Sequence, residues 1–526
     1  PRLGFAWSPY FGESRLAKIL FGGRDESVIR GGYSIAYDAV FYNILLNIST
    51  SAPTVILDTF VPSVGLPPNP TGTAVRNAYS ANLRRNTFDP RLLSRTVVSN
   101  DFHSPYSMQY SLGIQRQLNP SNVFEIRYVG NNGKDLFQTV NANPFYDRLY
   151  NGFTQTITLA GPPTLITFPN FRNLLRGAPA PQSCSDVPGT PDNEGACNGR
   201  LLPGQGLIRS RTNTGSSSYH SLQTRYNGRF LDKTLSLGAA YTLSKAIDNA
   251  SEIFAFGESP IAQNPFDLKD LERGISGFDR RHAFSTTFTY DIPLFKEQQG
   301  YLGKLLGGWQ INGQYNLASG RPYTPEQFRN SQVFVANSYV DAAFANTFIG
   351  LDNLRPFVGN PRADIRRVAV TNIDARLMGL LGPNTPLSPT GFYLLNDLNR
   401  FVGGSRVLTP VTPNDVRWIY NGPGAALFFG TPFGTASRNS VRGKVLNQLN
   451  MGAFKAIRID EKLRVQFRAE AFNVLNTPNA GFGVAAGASL PILTMESAGV
   501  ASSGFADNGD VSLSSRRIQF GLRIIF

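Results

Sequence analysis

The sequence is short of the residues on which most enzymes and helical membrane proteins depend. Its 526 residues include three histidines, two cysteines, four methionines and three tryptophans, and only 16% are charged. His103, His220 and His282 are not spaced i, i+4, and none stands beside a cysteine or carboxylate cluster with metal-ligand spacing. They read as rim or loop residues. No P-loop, nucleophile-elbow or dinucleotide-glycine motif occurs, so no enzymatic activity, metal or cofactor is expected. Nor is there an apolar run of the ~18 residues that a membrane helix needs, and mean hydropathy is −0.17. Acidic residues are the minority: 50 Lys and Arg against 36 Asp and Glu leave +14. The arginines are scattered rather than interleaved with aromatics, which describes a solvated basic surface and argues against nucleic-acid binding.

The two cysteines, Cys184 and Cys197, both lie in "PQSCSDVPGTPDNEGACNGR". A stretch this rich in Pro, Gly, Asn and Asp is a loop. The pair fits a disulfide closing a small hairpin in an oxidising compartment, with two free thiols as the alternative.

What is abundant is glycine (51), proline (35) and aromatics (12%), the residues of strands and turns. Period-two alternation recurs in eleven segments: "RLGFAWSP", "VIRGGYSIAYD", "SMQYSLGIQRQL", "NVFEIRYVG", "SLQTRYNGRF", "LSLGAAYTLS", "AFSTTFTYDI", "WQINGQYNL", "QLNMGAFKAIRI", "LRVQFRAEA" and "IQFGLRIIF". Many run for nine to twelve residues, longer than soluble strands of about five or six and matched to the ~9–11 that cross a bilayer at a tilt. One side of each is apolar; the other carries Gln, Asn, Arg, Ser and Gly, which suits a wet interior.

The connections alternate as well. "QLNPSN", "FLDKT" and "IDEK" are tight turns, whereas 39–104, 131–216, 246–281, 321–446 and 476–514 are long and polar. Short turns on one side and long loops on the other predict an all-β, antiparallel transmembrane β-barrel with periplasmic turns and extracellular loops. Eleven strands are an odd count, and bacterial single-chain barrels close with an even one. At least one further strand is therefore expected before Pro1.

Within this frame Arg464, Gln466, Arg468 and Glu470 share one side of their strand, as do Gln310, Asn312 and Gln314. These are the lumen-facing candidates for contact with a polar or anionic solute. The plainer reading is wall lining, with Arg and Glu pairing across strands. "GFDRRH" (277–282) is either a binding cluster or a charged collar where a loop enters a strand. Ligand contacts are expected on the long loops at 131–216 and 321–446.

Taken in order, "RLGFAWSP", "VIRGGYSIAYD", "YSMQYSLGIQRQL", "EIRYVGNNGKDL", "SYHSLQTRYNGRF", "YTLSKAIDNA", "LERGISGFDRRHAF", "GGWQINGQYNLASGRPYT" and "RVQFRAEAFNVLNTPNAGF" resemble the barrel of TonB-dependent-transporter-like outer-membrane proteins, closest to the Oar-like group with carboxypeptidase-regulatory-like domains. The resemblance implies a barrel of 22 strands in the cell outer membrane, of which residues 1–526 form roughly the C-terminal half. It also implies an upstream plug and a segment that meets a TonB-type energy transducer. Expected partners are outer-membrane lipid and lipopolysaccharide, the barrel-assembly machinery and an unidentified ligand taken up with energy. A surface adhesion or structural protein using the barrel as a loop platform is the alternative from another class; a secreted soluble β-protein is a third.

The last strand bears on assembly. Ile518, Phe520, Leu522, Ile524 and Phe526 fall on one face, opposite Gln519, Gly521 and Arg523. The ending resembles the terminal aromatic signal of outer-membrane barrels, with Phe520, Leu522, Ile524 and Phe526 as its residues. Deleting Phe526 is expected to lower surface levels more than ligand affinity. Normal surface levels in that variant, measured by surface labelling, would refute the assignment.

Overall fold

The computed structural model describes residues 1–10, 21–39, 42–50, 71–77, 95–157, 164–176, 178, 180–181, 199–251, 262–328, 353–377, 380–382, 390–398, 401–459, 463–477, 492–494 and 515–526. Cys184 and Cys197 lie outside these residues, and so does most of the turn "IDEK".

All eleven alternating segments are strands of one sheet. They are β1 (Arg2–Trp7), β2 (Ser27–Tyr37), β3 (Tyr106–Asn119), β4 (Asn122–Asn141), β5 (Ile208–Phe230), β6 (Leu235–Asp248), β7 (His282–Asp291), β8 (Trp309–Ala318), β9 (Leu446–Arg458), β10 (Arg464–Phe472) and β11 (Arg517–Ile525). Their order in the sheet is their order in the chain, and every neighbouring pair is antiparallel. Such a meander follows from tight turns. Between β3 and β4, the Asn119 side-chain oxygen accepts the Ser121 N–H (2.9 Å) and the Asn122 side-chain N–H (2.8 Å), closing an Asx turn.

The register sorts side chains into two unlike faces. Leu112, Tyr128, Leu222 and Leu243 form one row across β3 to β6, and Phe467 stands opposite Leu522. Among the described residues most of this face is left uncovered: Phe520 and Leu522 are each 69% exposed. The other face carries rows such as Gly113, Arg127, Gln223 and Thr242. No described helix is long and apolar enough to cross a membrane, so any crossing falls to these strands.

Two connections differ from the sequence reading. Residues 131–141 and 208–216, expected as part of a loop, extend β4 and β5 to 20 and 23 residues. The hydrophobic alternation fades past Gly130, but backbone pairing continues through register shifts at Leu136 and a positive φ of 55° at Asp135. Hydrophobic patterning reports an apolar environment; a hydrogen-bond ladder does not need one. At ~3.4 Å per residue, β4 is roughly 68 Å long, about twice what a ~25 Å apolar band requires at a 45° tilt.

The second is 321–446, which holds structure of its own. Phe357–Val358, Trp418–Ile419, Val368–Thr371, Phe392–Leu394 and Pro410–Val411 make a five-stranded sheet. It packs with helices Asn372–Leu377 and Pro423–Phe429 around Val370, Trp418, Phe357 and Ile419. Among the described residues the buried apolar side chains lie in the connections and overhanging strand ends. The wall between them has no protein core.

Asp374 sits fully buried in the long connection. Its carboxylate accepts the Thr371 hydroxyl (2.8 Å) and the N–H groups of Gly424 (2.8 Å) and Ala425 (3.1 Å). Burial pushes its carboxyl up to about 6, against the pull of these donors. The folded state thus binds a proton that the unfolded chain releases near the ordinary carboxyl value. The stabilisation is fully present below about pH 3.8 and lost as pH rises through about 6. Hydrogen exchange of residues 368–376, corrected for intrinsic rates, should show slower local opening at pH 5 than at pH 7.5. Asp374→Asn should flatten that difference.

Candidate functional site

The polar face of β8 to β10 gathers the sequence-predicted residues. Across the strands, Asp291, Gln310, Phe454, Arg468 and Gly521 form one row, and Thr289, Asn312, Gly452, Glu470 and Gln519 the next. Gln314 continues beside Asn450, Gln466 pairs with Ala456 and Arg523, and Arg464 with Arg458 and Ile525. All seven candidates therefore share one surface, with only β9 between the two sets. At ~4.8 Å per strand that separation is roughly 10 Å.

Gly452 makes the surface shallow there. A Cβ on it would stand 2.7 Å from Asn312 Oδ1 and 2.9 Å from the Phe454 ring. Arg468 lies over that ring at 5.5 Å and donates to Gln466 Oε1 from Nη2 (2.9 Å) and Nε (3.2 Å). Gln310 donates to Asp291 Oδ1 at 2.7 Å. Among the described residues no ion pair joins Glu470 to Arg464 or Arg468, because the residues directly across from Glu470 are Gly452 and Gln519.

A second polar feature was not anticipated. On β2, β3 and β4, Arg30, Gly32, Gly113, Gln115, Glu125 and Arg127 line a hollow of about 230 Å³. Glu125 and Arg127 form an ion pair along their strand. The hollow exists because Gly113 falls between Arg30 and Arg127 in the register. The alternation "VIRGG" carries the only sequence signal, and it does not reveal that register.

Above the wall three connections lock together. Arg438 Nη1 meets Asp248 Oδ1 at 2.9 Å, Arg355 Nη2 meets Glu272 Oε1 at 2.6 Å, and Arg442 pairs with Asp279. Arg438, Asp248, Arg355, Glu272 and Asp279 are buried. These pairs tie the β6–β7 connection and its flanks to the β8–β9 connection. An apolar cluster adds the β4–β5 connection: Tyr146, Leu149, Phe168 and Phe171 pack with Ile373, Ala426 and Phe433. The described parts of these three connections thus form one folded cap.

The sequence "GFDRRH" serves this cap. Asp279 accepts the Ala246 N–H at 2.6 Å as well as Arg442, Arg280 Nη1 donates to Ser319 O at 2.7 Å, and the His282 N–H donates to Ser319 Oγ at 3.1 Å. It acts as a collar. His282 and His220 stand on the apolar face beside tyrosines, with ring nitrogens 2.8 Å from Tyr241 OH and 2.7 Å from Tyr128 OH. His103 lies in the β2–β3 connection, 3.4 Å from Asp135; hydrogen bonds to the Asp101 carbonyl and to Asp135 raise its pKa.

The profile of the outer membrane beta barrel domain matches residues 1–519. The chain belongs to that family. It is an outer-membrane protein, and the uncovered apolar face of its wall is the one that meets lipid. No curated protein matches the chain. Similar solved structures include the outer membrane transporter YddB from Escherichia coli (9% identity, TM-score 0.34, 88% of this chain and 36% of that one). Others are the siderophore receptor PirA from Acinetobacter baumannii (10%, TM-score 0.35, 95% and 39%) and FpvA of P. aeruginosa in complex with a heterologous pyoverdine and iron (9%, TM-score 0.32, 96% and 31%). The chain spans about a third of their length, from 31% to 39%.

Two substitutions separate wall from cap. Arg355→Ala strands the buried Glu272 carboxylate and should cost about 3–5 kcal/mol locally; protease sensitivity of the connections on intact cells should rise while the wall stays heat-modifiable in gels. Leu522→Arg puts a charge on the lipid face near mid-strand, at about 2–4 kcal/mol. Gln519→Arg, on the opposite face, should be close to neutral in the same urea titration of lipid-embedded protein.

Proposed function

We infer that this chain is the C-terminal part of a closed receptor barrel of 22 strands, of the Oar-like, TonB-dependent kind, taking up a ligand that bears anionic groups. It acts without catalysis. The cap captures the ligand outside, and passage through the lumen is driven from the inner membrane through a plug and energy-transducer segment upstream. The ordered resemblance across residues 1–526 supports the class. Lipopolysaccharide surrounds the extracellular end, and the assembly machinery reads the strand that ends at Phe526.

The observation that carries the ligand chemistry is a patch of arginines on the polar face. Arg458 lies directly across from Arg464, and Arg468 and Arg523 occupy neighbouring positions on that face. Among the described residues no carboxylate pairs with any of the four. Like charges directly opposed destabilise a sheet, so the patch selects an anionic partner.

A second reading, surface display without transport, draws on the self-packed cap, whose three connections need no ligand to hold together.

The test begins with native mass spectrometry of the full-length protein from outer membranes, to identify what it carries. Cells are then given that compound with and without a protonophore. Uptake predicts accumulation that the protonophore abolishes while surface binding persists, and weaker accumulation in Arg464→Ala/Arg468→Ala at normal surface levels. Surface binding without any accumulation would establish display instead.

A further inference from the structure

The turn between β7 and β8, residues 292–308, departs from the polar turns at the same end of the wall. It holds a helix, Gly300–Leu306, and six large apolar side chains open to the outside: Leu294, Phe295, Tyr301, Leu302, Leu305 and Leu306. Tyr301 is 83% exposed and Leu302 63%. At 100° per residue, Tyr301, Leu305, Leu302 and Leu306 occupy one arc of about 140°, with Lys304 on the far side. Gly303 faces inward, where a Cβ would come within 2.9 Å of the Gln298 backbone. A soluble helix buries such an arc; this one presents it.

The helix is fastened to the outer side of the wall. Trp309 and Lys455 are paired across β8 and β9, and Lys455 pairs with Phe467 on β10, whose other neighbour is Leu522. That row belongs to the lipid-facing side. From it, Trp309 Nε1 donates to Leu305 O at 3.2 Å, and Lys455 Nζ donates to Lys304 O at 2.7 Å and also to Gly307 O. The last carbonyls of a helix lack partners within it and carry the negative end of its dipole. An ammonium in the apolar row supplies both the donors and the charge. This accounts for a lysine that the strand pattern leaves unexplained: it is buried, with its charge on the helix end.

We propose that Leu294–Leu306 is an in-plane membrane anchor, its apolar arc seated in the headgroup and acyl boundary of the phospholipid leaflet on the turn side of the wall. The occupant is phospholipid because the arc continues the lipid-facing surface through Trp309, Lys455 and Phe467. Exposed apolar side chains, a short polar back and the cations Lys296 and Lys304 within the segment are the composition of an interfacial segment.

The test uses the full-length protein in vesicles of phosphatidylethanolamine and phosphatidylglycerol. A single cysteine is placed at Leu302, Leu305 or Lys304 and labelled with an environment-sensitive fluorophore; the unaltered protein gives the background from Cys184 and Cys197. Nitroxide lipids labelled near the headgroup should quench residues 302 and 305, and aqueous iodide should not. Residue 304 should show the reverse. Iodide quenching at 302 with no effect of nitroxide lipid would overturn the proposal, and so would crosslinking of residue 302 to a periplasmic protein in cells with the lipid signal absent. In a Leu302→Glu/Leu305→Glu variant, a label at Phe295 should lose its lipid quenching while the barrel stays heat-modifiable. If that variant fails to assemble, the quenching pattern of the single-cysteine proteins decides alone.

Discussion

Backbone hydrogen bonding in lipid is the constraint on which this structure rests. A peptide group in hydrocarbon has no water to turn to, and each unpaired one costs several kcal/mol. The wall answers with an antiparallel ladder in which each strand pairs with its sequence neighbours. Once the backbone is satisfied, side chains are free to follow the solvent on each side. Leu112, Tyr128 and Leu222 form a row against lipid, while Gly113, Arg127 and Gln223, one residue along each strand, form a row on the other side. A one-residue slip would exchange the two rows, so the membrane itself fixes the register.

Beyond the lipid the rules change within the same strands. Past Gly130, β4 no longer gains from apolar side chains on an outer face, and Gln138, Thr139 and Asn141 are buried against other loops instead. Water is the solvent there, so the ordinary hydrophobic effect returns and the connections build cores around Trp418, Phe357 and Tyr146. The buried Arg355–Glu272 and Arg438–Asp248 pairs add little net stability over apolar substitutes. Their effect is to penalise any other arrangement of the loops, since a displaced arginine leaves a buried carboxylate uncompensated.

These two regimes explain what was legible in the sequence. Each of the eleven strands was, because a lipid face and a wet face force period two on "SMQYSLGIQRQL" and "IQFGLRIIF" alike. The overhang of β4 and β5 was not, since a ladder in water leaves no such trace. The cap was also hidden: Arg355 and Glu272 are 83 residues apart and Arg438 and Asp248 are 190 apart, and nothing local predicts either meeting. The shared surface of Arg464, Gln466, Arg468, Glu470, Gln310, Asn312 and Gln314 followed from alternation alone. The hollow between Arg30 and Arg127 did not, because it depends on which residues face each other across three strands.

Departures from the pattern carry as much information as the pattern. Charges do occur on the lipid face, but at its margins. Lys245 lies opposite His220 near the long-loop end, while Arg116 lies opposite Phe124 and Lys455 opposite Trp309 near the turn end. Between these margins β6 presents Leu235, Leu237, Ala239, Tyr241 and Leu243, without a charge. Eight rises of ~3.4 Å make this run roughly 27 Å along the strand, or about 21 Å along the membrane normal at a tilt near 40°. That is close to the ~25 Å apolar band of outer-membrane barrels. The charged residues thus mark where hydrocarbon ends. Lys455 lies on that margin, where an ammonium is tolerated only with carbonyl partners, and the helix at Gly300–Leu306 provides them.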